Sequence, residues 1–581
     1  MSAPTTERHE DVEEIGEEGR GQDVASSLDC SPAGWRVFSA RRELRGIRED
    51  ENKPWIEMMA AAIMAEDDRG AEADSRNQAE PDEERGIIRT FMHDPDTSDI
   101  SQPQAERVED YCFNTTLNQL EAQARAGQRL PCTAWVAEGG DGWYKPAADW
   151  LPAHGLYAAL RKPRFRWGKG QASPATATAG VVEVDPLVTP AAATATDLTL
   201  LTPSPYFTNK KPRSQTDQDE APDIERRMIF IYDLDPWNIC ALAATASESQ
   251  AAALRDAFFK YLTFRSSIEA SLSDGWPTFR LSLHLPYYAW RCSSNPKADP
   301  RHDRRNNPLR HHRDVSLLNC EGGNAFLYEA QISFVLAGVD EWRWVAYCFV
   351  DSYFDEDGEN AAQYHKDVSD GSHTDPFEYG VADKHTEQAS MFFLKVFSIR
   401  AKQITQEWET VVTNVEESIR QHARSHERRP IESPAQLATV GAIAAYGDEI
   451  RKSLDWVGEA SFVLTELSEV LDKSSVAWAD FRRFQLVKLE HLSSASTIEP
   501  LLSTIRTSFH QLELLKKTIE SMAKRCKTMK QEVSIHRRDL VKGLLAFEVG
   551  NLTVAFCAAS IQTEPPQHGG RRSAVQAGRG K

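Results

Sequence analysis

One run of apolar residues, Ile505, Phe509, Leu512, Leu515, Ile519, Met522, Cys526, Met529 and Val533, limits what this chain can fold into more than any other feature. From Leu512 the steps alternate between three and four residues, and this is the period of a helix whose apolar seam meets another helix along its length. Residues 392–422 carry the same spacing at Phe397, Ile404, Trp408, Val411, Val415 and Ile419. Residues 450–484 carry it at Ile450, Leu454, Val457, Leu464, Leu467, Leu471, Trp478 and Phe481. Three long helices are therefore expected in a stalk over 386–545, enough for an antiparallel bundle. Read as a contact between chains, the 505–533 seam predicts a homo-oligomer or docking with related subunits.

Upstream of the stalk the periodicity changes. MIFIYDL at 228–234 is a short apolar run bounded by charge and by Pro236, which predicts a buried strand. Thr245 with Glu248 three residues later fits a capping box, and Leu254, Phe258, Tyr261 and Leu262 then mark a helix face. Residues 278–288 alternate Phe279, Leu281, Leu283 and Leu285 with Arg280, Ser282 and His284, a strand with one buried face. Residues 325–336 and 342–350 are two further strands. Trp342, Trp344, Tyr347 and Phe349 in the second are better used in a core than as a stacking platform for bases. These elements predict an α/β domain over 225–385, so the fold class is an α/β or α+β domain followed by a long-helix bundle.

The 581 residues exceed one core and divide by composition. The first hundred hold 26 Asp and Glu against 12 Lys and Arg, so −14 of the formal −20 lies there. Residues 1–105 are expected as a disordered acidic tail, with one short helix around 55–64. Residues 106–167, with Trp135, Trp143, Trp150 and Phe165 among their aromatics, are expected as a small folded element. Residues 168–224 are rich in Ala, Thr, Pro and Ser and read as a linker; residues 546–581 read as a C-terminal tail. The acidic balance argues against nucleic-acid binding. Nine cysteines with no Cys-x-x-Cys pair, and no leading basic and apolar stretch, predict a cytoplasmic address. Residues 544–561 are the best candidate for a membrane span, but Glu548 and Asn551 interrupt them.

Candidate chemistry is sparse. Asp351, Asp355, Asp357 and Glu359 crowd the loop after the aromatic strand, and hard oxygens at that density suit Mg²⁺. The run fails the twelve-residue calcium template, because position six from Asp351 is Glu356 and position twelve is Ala362. The alternative is a solvated acidic loop. Neither His302, His311 and His312 nor His365, His373 and His385 have zinc spacing. There is no Gly-x-Ser-x-Gly elbow, phosphate loop or dinucleotide fingerprint, so no catalytic residue and no required cofactor is predicted. The loop over 296–313 is polar and crowded with Arg and His.

Four stretches, at 226–262, 277–291, 341–357 and 399–412, give the chain a resemblance to the cytosolic region of CorA-like divalent metal transporters, in a divergent eukaryotic branch. The resemblance covers roughly residues 226–540. It implies an α/β domain whose last stalk helix runs into two membrane helices of a pentameric pore, with a Gly-Met-Asn signature at the pore mouth. That signature is missing here, and one interrupted segment cannot supply two spans. What the resemblance implies is therefore a module that self-associates or binds related subunits, or else a channel subunit whose membrane helices are missing from this chain. Family members hold regulatory Mg²⁺ with acidic side chains between cytosolic domains, but none of those positions can be assigned here.

Overall fold

The computed structural model describes residues 35–42, 47–59, 86–93, 100–126, 131–141, 143–146, 149–165, 223–272, 278–355, 376–377, 388–427, 440–490 and 495–548. An eight-stranded sheet organises the head: β1 Ala134–Gly140, β2 Trp143–Pro146, β3 Arg226–Tyr232, β4 Ser267–Leu272, β5 Phe279–Cys292, β6 His312–Asp314, β7 Ala325–Gly338 and β8 Trp344–Val350. The spatial order is β2-β1-β3-β8-β7-β5-β4, with β6 pairing on β7. Only β3 and β8 run parallel, in register from Arg226 opposite Trp344 to Tyr232 opposite Val350.

Side chains alternate across this sheet because successive Cβ atoms point to opposite faces. Met228, Phe230, Trp344, Ala346 and Cys348 join the core toward the stalk. Ile229, Ile231, Val345, Tyr347 and Phe349 join a second core under the helices of the other face. These are α1 Gln102–Tyr111, α2 Leu117–Arg125, α3 Ala153–Leu160, α4 Pro236–Ala243 and α5 Glu248–Leu262. The stalk follows as α6 Ala389–Glu427, α7 Val440–Phe484 and α8 Ala495–Glu548.

The α/β head and the long-helix bundle are as expected, and four local expectations are corrected. Thr245 does not cap α5: the N-cap is Ser247, and the Thr245 hydroxyl donates to the Ala241 carbonyl at 2.8 Å. Ser282 and His284, expected to face water, are fully buried, because α5 covers the face opposite the stalk. The His284 imidazole meets the Ser333 hydroxyl at 2.9 Å, and burial pushes its pKa well below the usual value. The 106–167 element shares its sheet with the α/β domain, since β1 pairs antiparallel with β3 along Ala134 to Gly139. Composition cannot show such a pairing, because its two partners are ~90 residues apart and their contact is purely tertiary.

The fourth correction concerns the acidic first hundred residues. Trp35, Trp55, Ile88, Phe91 and Met92 are buried. Trp35 packs on Phe279, and Trp55 packs edge-on against Phe91, which in turn meets Phe258 of α5. An acidic background thus carries separate aromatic anchors that dock on both faces of the head. Residues 1–34, 43–46, 60–85 and 94–99, the linker over 166–222 and the tail over 549–581 lie outside the described residues.

Candidate functional site

The centre of charge in the head lies where the parallel strands β3 and β8 end. Each strand is followed immediately by a carboxylate, Asp233 after Tyr232 and Asp351 after Val350. Asp233 takes up left-handed backbone (φ 51°) and donates its own amide to the Val350 carbonyl at 2.8 Å. Its carboxylate accepts from the Ser352 amide at 2.8 Å and from the Tyr353 amide at 3.1 Å, stitching the two strand ends together.

The polar loop over 296–313 supplies the opposite charge. Arg301 donates twice to Asp299, at 2.8 Å each, and pairs with Asp351 Oδ1 at 2.8 Å. Arg310 donates through Nε to Asp351 Oδ2 at 2.7 Å and through Nη2 to the Tyr261 carbonyl at 2.7 Å. The Tyr261 hydroxyl accepts from Arg301 at 2.7 Å and donates to Asp351, and the Gln331 amide donates to Asp351 Oδ2 at 2.8 Å. Asp299, Arg301, Arg310, Tyr261, Gln331 and Asp351 are essentially excluded from solvent, and the Asp233 side chain is mostly buried, 18% exposed. Two guanidinium groups hold the Asp351 carboxyl below its usual range, against the opposing effect of burial. Asp233 behaves in the other way: burial and the nearby Asp351 outweigh Arg301 and push it up to about 6.

This arrangement bears directly on the four acidic residues considered for Mg²⁺. Both Asp351 oxygens are engaged by cationic donors, which leaves that carboxylate nothing to offer a metal ion. Asp355 pairs with Arg291 at 2.9 Å, and Arg291 also forks onto Glu407 of α6 at 2.8 Å, so this carboxylate belongs to a link between sheet and stalk. Asp357 and Glu359 lie outside the described residues, as do His365, His373 and His385. No group of three His, Cys, Asp or Glu suited to a metal occurs among the described residues. Sequence reasoning passed over Arg301 and Arg310, although alternating Asp and Arg in one loop was the available signal.

A second junction sits where the stalk leaves the head. Glu341, 1% exposed, accepts the Ser390 hydroxyl at 2.8 Å and the Ser390 amide at 3.2 Å on Oε2, and its backbone carbonyl accepts the Ala389 amide at 2.8 Å. It therefore caps the first turn of α6. Oε1 is buried without a hydrogen bond among the described residues, and desolvation pushes the carboxyl up to about 7. A raised folded-state value means that the native state holds its proton more tightly than the unfolded chain. Stability from this group is thus fully present below the ordinary Glu range and is lost as pH rises through about 7. Glu341→Gln is expected to flatten the fall in melting temperature between pH 5 and 8 and to raise stability at pH 8 by about 1–3 kcal/mol. An unchanged pH profile would count against it.

In the stalk, the 505–533 seam is satisfied inside one chain. Ile505, Phe509, Leu512, Ile519, Met522, Cys526, Met529 and Val533 are buried and Leu515 is half-buried, covered by α6 and α7. At the base, Phe509 stacks on Trp478 of α7 at 4.7 Å and meets Phe397 of α6 edge-on at 5.9 Å. Farther out, His422 of α6 stacks on Trp456 of α7 at 3.9 Å. Val533 and Leu540 then pack with Ile450, Tyr446 and Leu454 of α7. The seam of regular spacing is thus a bundle core, and any contact between copies must use another flank.

No helix among the described residues is long and apolar enough to cross a membrane; most of 544–561 lies outside them. No family model matches the chain, and no curated protein matches it. Among solved structures, the ZntB cytoplasmic domain from Vibrio parahaemolyticus RIMD 2210633 aligns at 8% identity and a TM-score of 0.29, over 55% of this chain and 93% of that one. The full-length CmaX protein aligns at 12% identity and a TM-score of 0.26, over 63% and 85%. Likenesses of this size do not establish a shared family.

Proposed function

We propose that this chain is a head-and-stalk assembly module of the CorA-like kind, cytoplasmic and without chemistry of its own, which joins further copies or related subunits along its stalk. The observation that carries this reading is the stalk itself. Helices of 39, 45 and 54 residues rise from a sheet buried on both faces, and α8 runs past the end of α6. The outer flanks keep apolar side chains that the bundle does not use: Ile535 on α8, Phe462 and Val476 on α7. A charged head core already neutralised by its own arginines supports a mechanical role over catalysis. Light scattering of the full chain at tens of micromolar is expected to give an oligomer. A clean monomer across that range would overturn the proposal, and loss of the oligomer in Val476→Asp with Ile535→Asp would locate the contact.

A second reading is a divalent cation channel subunit in a version lacking its membrane helices. It draws on the continuation of α8 as unbroken helix to Glu548, the direction in which the resemblance would have it enter a bilayer. Transcripts extending beyond codon 540 into two apolar helices with a Gly-Met-Asn motif would support it. A single reading frame ending at Lys581 would oppose it.

A further inference from the structure

The outer face of α8 is basic in a protein that is acidic overall. Between Lys516 and Arg538 the helix carries eight Lys and Arg against two Glu, a net of +6. Lys516 is paired with Asp472 of α7. Lys517, Lys524, Arg525, Lys527 and Lys530 are exposed and have no ion pair among the described residues. Beside them, between α6 and α8, runs an open groove of about 450 Å³ whose lining includes Ile419, Leu514, Met522, Lys517, Arg525 and Glu416, the last paired with Arg420 at 2.9 Å. Leu514, 41% exposed, forms part of its apolar wall. Two of these cations, Lys517 and Arg525, line the groove and the other three follow along the exposed side of the helix, which calls for an anionic partner with a few apolar side chains of its own.

We infer that the occupant is the acidic segment over residues 7–18 of the same chain. That segment carries seven Asp and Glu against one Arg, a net of −6, and sets Val12 and Ile15 among them. The charges of segment and helix thus oppose in sign, and the two apolar residues suit the slot beside Leu514. Reach permits the contact. Trp35 is fixed at the base of the stalk, with the Lys488 ammonium 5.8 Å from its ring. From Ala495, the first residue of α8, to Lys517 is about 33 Å at the helical rise per residue. The residues from Glu18 to Trp35 span up to about 56 Å when extended, so tethering gives a high effective concentration at the groove. The contact is electrostatic and surface-exposed, and salt weakens it. It does not depend on association between copies.

The test is zero-length carbodiimide cross-linking of the full chain, read by mass spectrometry. At low salt, cross-links are expected from Glu13, Glu14, Glu17 or Glu18 to Lys517, Lys524 or Lys527, with a loss of at least tenfold at about 0.5 M NaCl, where screening acts within a few ångströms. The variant Lys517→Glu, Lys524→Glu, Lys527→Glu should lose them while keeping its helical circular dichroism, since all three side chains point to solvent. Adding Glu13→Lys, Glu14→Lys and Glu17→Lys to that variant should bring them back with the charges reversed. A mixture of unlabelled and ¹⁵N-labelled chain separates the sources. Cross-links within one isotope class support the assignment, and mixed pairs would overturn it in favour of a second copy. Absence of cross-links at low salt, or links only to the acidic residues over 66–84, would overturn it as well.

Discussion

Replacing Ile519 and Met522 together with Asp is expected to unfold the stalk within a single chain. Ile519 is fully buried and Met522 is 5% exposed, both against α6 and α7. Each substitution removes apolar contact worth about 2–5 kcal/mol and places a carboxylate where no cation waits, a further cost of several kcal/mol unless it is protonated. The sum rivals the whole stability of an ordinary domain, about 5–15 kcal/mol. Circular dichroism should show a large loss of helix, and limited proteolysis should cut within α8. Leu514→Asp, one turn away on the exposed flank, should leave the melting curve nearly in place. A double variant that remains helical and merely dissociates would return the seam to the contact between chains.

Asp351→Ala should be the most damaging single substitution in the head. It removes the shared anion of Arg301 and Arg310, both buried, and leaves two guanidinium groups with Asp299 as their main counter-charge. Breaking a buried pair by deleting one partner costs about 3–5 kcal/mol, mainly because the remaining charge stays desolvated. Chemical denaturation should register that loss, and Asp355→Ala, whose partner Arg291 keeps Glu407, should lose less than half as much. Asp351→Leu combined with Arg301→Met, Arg310→Met and Asp299→Asn should recover much of the stability, since neutral groups of similar volume often replace buried ion clusters at little cost and an asparagine oxygen at 299 still accepts a backbone amide from 301 or 310. Equal stability for Asp351→Ala and wild type would refute the account of this cluster.

The stalk helices and the long strands were legible because their signal is local: a period of three or four, or of two, repeated over many residues. The identity of what lies opposite was not. The spacing from Leu512 to Val533 is the same whether the facing helix belongs to this chain or to another. The alternation in β5 put Ser282 and His284 toward water because nothing in 279–288 announces that α5, some 30 residues earlier, covers that face. In the same way, a cluster of carboxylates reads alike beside a metal ion and beside arginines, and the arginines that engage Asp351 stand 41 and 50 residues before it. Trp35, Trp55 and Phe91 could have been suspected, since a chain that stays in water has little use for isolated large aromatics in an acidic run.

The ring cluster of Phe397, Trp478 and Phe509 makes α8 a lever with its fulcrum at the head. From Phe509 to Glu548 the rod extends about 58 Å. A tilt of about 5° at the fulcrum then sweeps the far end through about 5 Å, close to the pitch of one helical turn. A change of tilt at these rings would therefore move Glu548, at the far end of the helix, by about one helical turn.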